Sequence, residues 1–230
     1  MSPTPASIVP PPFTVPLPIP DELDGADISL NVGVAQVELL PGFSTRMLTY
    51  EKSFPGPTII AGPDHDTAVR VANAYDEDVV VHLHGGHTAA AFDGHPLDLV
   101  APGEEFTYRY PNRQRPATLW YHDHAMMGTA PNVYRGLAGF YLLRDDAELG
   151  LGLPVGGPRD IPLMITDKTF DDRGQLVYPD GIRDGFFGDV VLVNGAPSPV
   201  ATVPAGLIRL RLLNASNARP YRLARSARQG

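Results

Sequence analysis

Hydrophobic positions in this chain come in short runs, and turn residues cut each run off after a few positions. From about residue 28 the pattern is strand-like, with predicted strands over 28–39, 45–50, 58–61, 67–73, 79–83, 105–110, 118–122 and 139–143. Pro41-Gly42, Pro55-Gly56-Pro57, Gly62-Pro63, Asn73, Gly85-Gly86 and Pro102-Gly103 separate them. The one short helical candidate covers about 130–137, and no long amphipathic helix is present. Many short strands with Gly/Pro punctuation predict an all-β sandwich or barrel.

The stretch 145–160, DDAELGLGLPVGGPRD, is a polar Gly/Pro-rich break. Beyond it the pattern resumes with strands over 161–166, 189–193 and 207–213, and with Asn194-Gly195 as a turn. About 70 residues follow the break, whereas a sandwich needs roughly 100, so the second unit reads as partial. At the start, Pro3, Pro5, Pro10, Pro11, Pro12, Pro16, Pro18 and Pro20 exclude helix and favour extended polyproline II. The apolar Ile8, Val9, Phe13, Val15, Leu17 and Ile19 favour an arm lying on the fold over a loose tail. The expected division is a Pro-rich arm over 1–24, a first domain over 25–146, a linker over 147–157 and a partial second domain over 158–230.

Composition narrows the function classes. The 230 residues, 43% hydrophobic and 19% charged, are globular in character, which excludes wholesale disorder. A net charge of −8 argues against nucleic acid as a partner. Six arginines and no acid follow Ala205, which reads either as a basic arm or, better, as a strand followed by a short foreign tail. No apolar run approaches the roughly 20 residues of a membrane span. The opening MSPTPASIVPPPF has no export features, so a cytoplasmic location is expected unless a leader is removed upstream of Met1. The chain contains no cysteine, which excludes disulfides, zinc ribbons and thiolate catalysis.

Four of the seven histidines form two H-x-H pairs: His82 and His84 in VHLHGG, His122 and His124 in WYHDH. Residues i and i+2 of a strand share a face. Each pair therefore projects two imidazoles together, with Leu83 and Asp123 turned away. Two such strands side by side bring four imidazoles to one volume, a donor set that suits copper, zinc, iron or nickel. Spacing alone leaves copper against zinc open. His65, in a polar turn, is read as solvent-exposed, and His87 and His95, in the loop after the first pair, as loop residues or supports of the ligands rather than ligands.

Beyond spacing, PGPTIIA (55–61), VHLHGG (81–86), DGHP (93–96), WYHDHAMM (120–127) and NVYRGLAGFYLLRD (132–145) resemble the amino-terminal cupredoxin domain of multicopper oxidases. The nearest flavour is the bacterial group of spore-coat laccases, bilirubin oxidases and phenoxazinone synthases. MITDKTF (164–170), VLVNG (191–195) and RLRLLNASNARPYRL (209–223) resemble the opening of the second cupredoxin domain. The resemblance implies a cupredoxin-like Greek-key sandwich plus part of a second. It implies copper as cofactor, with His82 on the type 2 ion, His84 and His122 on one type 3 ion and His124 on the other. It also implies Asp93 as a proton relay to the cluster that reduces dioxygen. Read without the resemblance, Asp93 is a turn residue before Gly94.

The family's carboxy-terminal H-x-x-H-x-H and H-C-H motifs do not occur in this sequence, and without cysteine the chain cannot form a blue type 1 site. The expected reading is the amino-terminal portion of a laccase-like oxidase, inactive by itself. In that parent a small reducing substrate and dioxygen are the partners, and a missing carboxy-terminal cupredoxin domain completes the cluster. The alternatives are a copper-binding scaffold without turnover, a redox-silent cupredoxin of the cell-division type, which the four histidines argue against, and a zinc hydrolase, for which only Asp93 offers a base.

Overall fold

The structure, a computed structural model, describes residues 2–63, 65–179, 181 and 185–224. The residues of the supposed tail from 225 onward lie outside the described ones. Nine strands build the first unit: β1 (Glu22–Asp24), β2 (Asp27–Val37), β3 (Thr45–Tyr50), β4 (Gly56–Ala61), β5 (Thr67–Asn73), β6 (Val81–His84), β7 (Glu105–Tyr110), β8 (Ala117–Asp123) and β9 (Ala138–Leu143). They form two sheets, ordered β1-β4-β9-β8-β6 and β3-β2-β5-β7. A helix, α1 (Thr129–Arg135), joins β8 to β9. It ends at Gly136, whose φ of +132° suits glycine and whose N–H closes on the Asn132 and Val133 carbonyls.

The sheets face each other across a core that includes Leu30, Val32, Val69, Val71, Val81, Leu83, Tyr108, Tyr121 and Tyr141. Alternation explains the first half of β2 and all of β5, whose inward residues are buried and whose outward residues are exposed or half-buried. β9 is buried along its whole length. Tyr141 and Leu143 face the first core, while Ala138, Phe140 and Leu142 face a second.

That second core forms where a third sheet packs on the outer face of β9. Its strands are β10 (Asp160–Lys168), β11 (Val190–Val193), β12 (Ala196–Pro197) and β13 (Arg209–Asn214), ordered β12-β11-β10-β13. Met164, Phe170, Val190 and Leu192 meet Leu39, Leu40, Met47, Phe54 and Phe140. Two buried basic side chains bridge the join. Arg211 grips Asp160 with two bonds, Nε to Oδ1 at 2.7 Å and Nη2 to Oδ2 at 2.8 Å, and reaches Thr118 Oγ1 of β8 at 3.0 Å. Lys168 Nζ donates to the Tyr134 carbonyl at the end of α1 and lies 4.9 Å and 4.6 Å from the Phe54 and Tyr134 ring centroids.

The strand predictions agree with these elements to within a residue or two; the arm lies on the fold as its apolar residues favour, and the arm and the linker each carry elements that the pattern does not predict. The supposed arm 1–24 contains a short 3-10 turn, Ala6–Ile8, and ends in β1, which pairs in parallel with β4. The arm itself is docked: Phe13 N–H donates to the Ser198 carbonyl, Leu17 N–H to the Val200 carbonyl and Val200 N–H to the Val15 carbonyl, each at 2.8 Å. The supposed linker carries a short helix, α2 (Asp146–Gly150), and a 3-10 turn, Gly157–Arg159. Arg209, bonded to Glu148 Oε1 at 2.7 Å, fastens α2 to β13.

Candidate metal centre

The antiparallel pairing of β6 with β8 creates the site. The register sets His82 opposite His122, His84 opposite Trp120 and Val81 opposite Asp123. One face of this pair therefore carries His82, His84, His122 and Trp120, and the other carries Val81, Leu83, Tyr121 and Asp123 into the interior. His124 stands just past the end of β8, its N–H on the Val80 carbonyl at 3.0 Å. All four paired histidines come together. The His82 centroid is 5.6 Å from His84, 5.5 Å from His122 and 4.9 Å from His124.

Hydrogen bonds select the nitrogen each ring presents. His82 Nδ1 donates to the Asp93 carbonyl at 2.6 Å, His124 Nδ1 to the Gly94 carbonyl at 3.0 Å and His122 Nδ1 to the Asp123 carbonyl at 2.8 Å. With those protons engaged, Nε2 of each of the three is a free lone-pair donor. Candidate ligand nitrogens of His82, His84 and His122 all lie within 4.8 Å of one another. His122 Nε2 is 3.4 Å from His84 Nδ1. Two nitrogens held about 2.0–2.1 Å from one tetrahedral ion stand about 3.3 Å apart, so this pair already has the spacing of a shared metal.

Protonation favours the same chemistry. Burial pushes the His122 imidazole down to about 4, and the neighbouring His82, His84 and His124 push the same way. His84 is lowered too, by burial and then by His82 and His124. Neutral imidazole is the form that ligates a metal.

Asp93 sits on the loop over the cluster. Its side chain is 44% exposed, and Oδ1 is 3.6 Å from His82 Nδ1. The other three histidines lie outside the cluster, as the sequence predicts. His65, His87 and His95 are exposed, and the loop at His87 is tied down by its N–H on Gln114 Oε1 at 2.6 Å.

Three contributors are not legible in the motifs. Gly94 packs so tightly that a Cβ there would lie 2.1 Å from the Val81 carbonyl oxygen, and its φ is +74°. Trp120 lies against His122, with centroids 4.1 Å apart. Asp123 is wholly buried, with its carboxyl raised by that burial. The H-D-H spacing predicts that Asp123 faces inward, but its partner Asn132 on α1 is not a neighbour in sequence.

The sequence profile of the multicopper oxidase family matches residues 31–148. Bilirubin oxidase from Albifimbria verrucaria is 41% identical over 228 residues, covering 93% of this chain and 40% of that protein. A laccase from Bacillus stratosphericus is 42% identical over 221 residues, covering 78% of this chain and 43% of that one. Among solved structures, the McoA multicopper oxidase from Aquifex aeolicus superposes with a TM-score of 0.84 at 38% identity, over 90% of this chain and 47% of that one. The chain thus spans less than half the length of each of these relatives.

Proposed function

Because this chain belongs to the multicopper oxidase family, we propose that its four clustered imidazoles hold copper as one half of a dioxygen-reducing cluster in a laccase-like oxidase. The observation that carries this reading is the convergence of the His82, His84 and His122 nitrogens within 4.8 Å. His84 and His122, at 3.4 Å, are assigned to one type 3 ion, His124 to the other and His82 to the type 2 ion. Copper, when bound, supplies the one-electron chemistry that takes dioxygen to water.

The residues of this chain bind, orient and supply protons. The Asp93 and Gly94 carbonyls fix the ring orientation of His82 and His124. The half-exposed Asp93 carboxyl, open to solvent beside the cluster, is read as the group that takes up protons from solvent on behalf of the oxygen site, without passing them through the already protonated His82 Nδ1. The remaining cluster ligands, the thiolate electron entry and the pocket for a small reducing substrate are assigned to sequence outside these 230 residues, because the chain has no cysteine and none of the family's carboxy-terminal histidine motifs.

The test is copper titration of the full chain, followed by equilibrium dialysis and paramagnetic resonance. Copper bound through several nitrogens is expected, with affinity falling at least tenfold in His82→Ala and in His122→Ala. The copper-loaded chain is expected to lack the intense blue thiolate band and to show no phenol oxidation. Binding that ignores both substitutions would overturn the assignment, and turnover by the chain alone would overturn its role as a half-site.

A further inference from the structure

Asp123 lies between two histidines in sequence and turns away from both. Its side chain is wholly buried, and its contacts join three separate segments. Oδ1 accepts the Val80 N–H at 3.0 Å, just ahead of the strand that carries His82 and His84. Oδ2 accepts the Ala125 N–H at 3.3 Å, immediately after His124. The same oxygen accepts Asn132 Nδ2 of α1 at 3.1 Å.

We infer that Asp123 is the positioning residue of the four-histidine cluster, its carboxylate setting the spacing between the strand of His82 and the end of the strand bearing His122 and His124. This role rests on the copper reading of the cluster. The strand ladder by itself registers His82 against His122, but β8 ends at Asp123 and leaves His124 outside it. What fixes His124 is its N–H on Val80, its ring on Gly94 and the turn after it, held by Ala125 N–H on Asp123. All three groups bonded to the carboxylate are donors, so an acceptor with two oxygens satisfies all three at once. A metal cluster needs its ligands placed within about half an ångström, and a bracket of three bonds on one buried carboxylate restrains the strand end that carries His124.

The test compares copper affinity in four proteins: the unaltered full chain, Asp123→Asn, the swap Asp123→Asn with Asn132→Asp, and Val69→Ala. Asp123→Asn keeps the volume but turns an NH2 toward donors. Val69→Ala opens the core in the opposite sheet, takes away none of the three bonds to Asp123, and controls for lost stability. Outer-shell partners of metal ligands typically change affinity by about 10–100-fold. That loss is expected for Asp123→Asn, with an altered copper resonance spectrum. The swap restores the donor–acceptor pair between the two positions but leaves one oxygen for the Val80 and Ala125 N–H groups, and is expected to recover only part of it. Val69→Ala is expected to leave affinity and spectrum unchanged despite a lower Tm. Should Asp123→Asn not fold, Asn132→Ala removes one donor only and is expected to weaken copper by several-fold. An unaltered chain that binds no copper overturns the metal reading and this role with it. A chain that binds copper equally well with Asp123→Asn, or with Asn132→Ala where that variant stands in, overturns the role alone. So does a Val69→Ala variant that loses as much affinity as Asp123→Asn.

Discussion

The indole of Trp120 lies against the imidazole of His122, ring centroids 4.1 Å apart, with His84 at 5.4 Å. It is the only tryptophan in the chain. A paramagnetic ion ligated by either ring therefore sits within direct contact range of the one strong fluorophore. Saturating Cu(II) is expected to quench most of the tryptophan emission, while Zn(II) quenches little. His122→Ala is expected to abolish the effect at low copper. Emission indifferent to copper would show that the metal does not bind at this face.

Gly94→Ala is expected to damage both fold and site. The added methyl meets the Val81 carbonyl oxygen at 2.1 Å and His82 Cα at 2.9 Å, at a φ that L-residues rarely adopt. Relief requires the 93–94 loop to lift, which withdraws the carbonyls from His82 and His124. The combined strain and overpacking correspond to a loss on the order of 3 kcal/mol. Urea denaturation measures the first effect and copper affinity the second, and both are expected to fall together.

Acid sensitivity is expected at the join between the sheets. Burial alone would raise the Asp160 carboxyl, but the bonds from Arg211 and from Gly156 N–H, with Arg144 nearby, hold it below its ordinary value. A depressed carboxyl stabilises the fold fully above its unfolded pKa of about 3.9, and the contribution fades as pH drops through the folded value. Arg211→Met leaves Asp160 buried without its main partner, and breaking such a pair costs about 3–5 kcal/mol. Denaturation between pH 2 and 5 is expected to show a steeper acid loss for the unaltered chain than for Arg211→Met with Asp160→Asn.

Lys168 acts in the opposite pH range. Burial pushes its amine down to about 7, against a smaller upward pull from Asp167. Between pH 7 and the unfolded value of about 10.4 the unfolded chain binds more protons, so stability rises with pH by up to about 1.4 kcal/mol per unit. Below pH 7 both states are protonated and the penalty is fully present. Lys168→Met removes the titration. Its stability relative to the unaltered chain is expected to improve steadily from pH 10 down to pH 7, and a constant difference would refute this.

Most strands and the first histidine pair are legible in sequence because both follow from local periodicity: a two-residue repeat sets His82 and His84 on one face of β6, whereas β8 ends at Asp123 and His124 joins the cluster only through the turn that follows it. β1 is not legible, since Pro18 and Pro20 precede it and its strand character comes from pairing with β4, more than thirty positions on. α2 is hidden by Gly150 and Gly152 and is held from outside by Arg209. Asp93 reads from its spacing as a turn residue, and only the resemblance singles it out; in the structure its carbonyl holds His82 more closely than its carboxyl does. Asn132, Gly94 and Trp120 gain their roles from tertiary closeness, and no spacing rule encodes that.

The docking of the proline-rich arm has a consequence for synthesis. Residues 13–17 are made long before their partners, because the backbone groups they bond belong to Ser198 and Val200, more than 180 residues later in the chain. The prolines prevent the waiting segment from settling into helix meanwhile, and its extended form keeps loop-closure entropy as the main cost when the partner arrives. Vectorial folding therefore seats this segment late, after the first two sheets have closed and the third has begun to pack. A bulky amino-terminal fusion is expected to interfere with that last docking step, leaving the histidine face to form undisturbed.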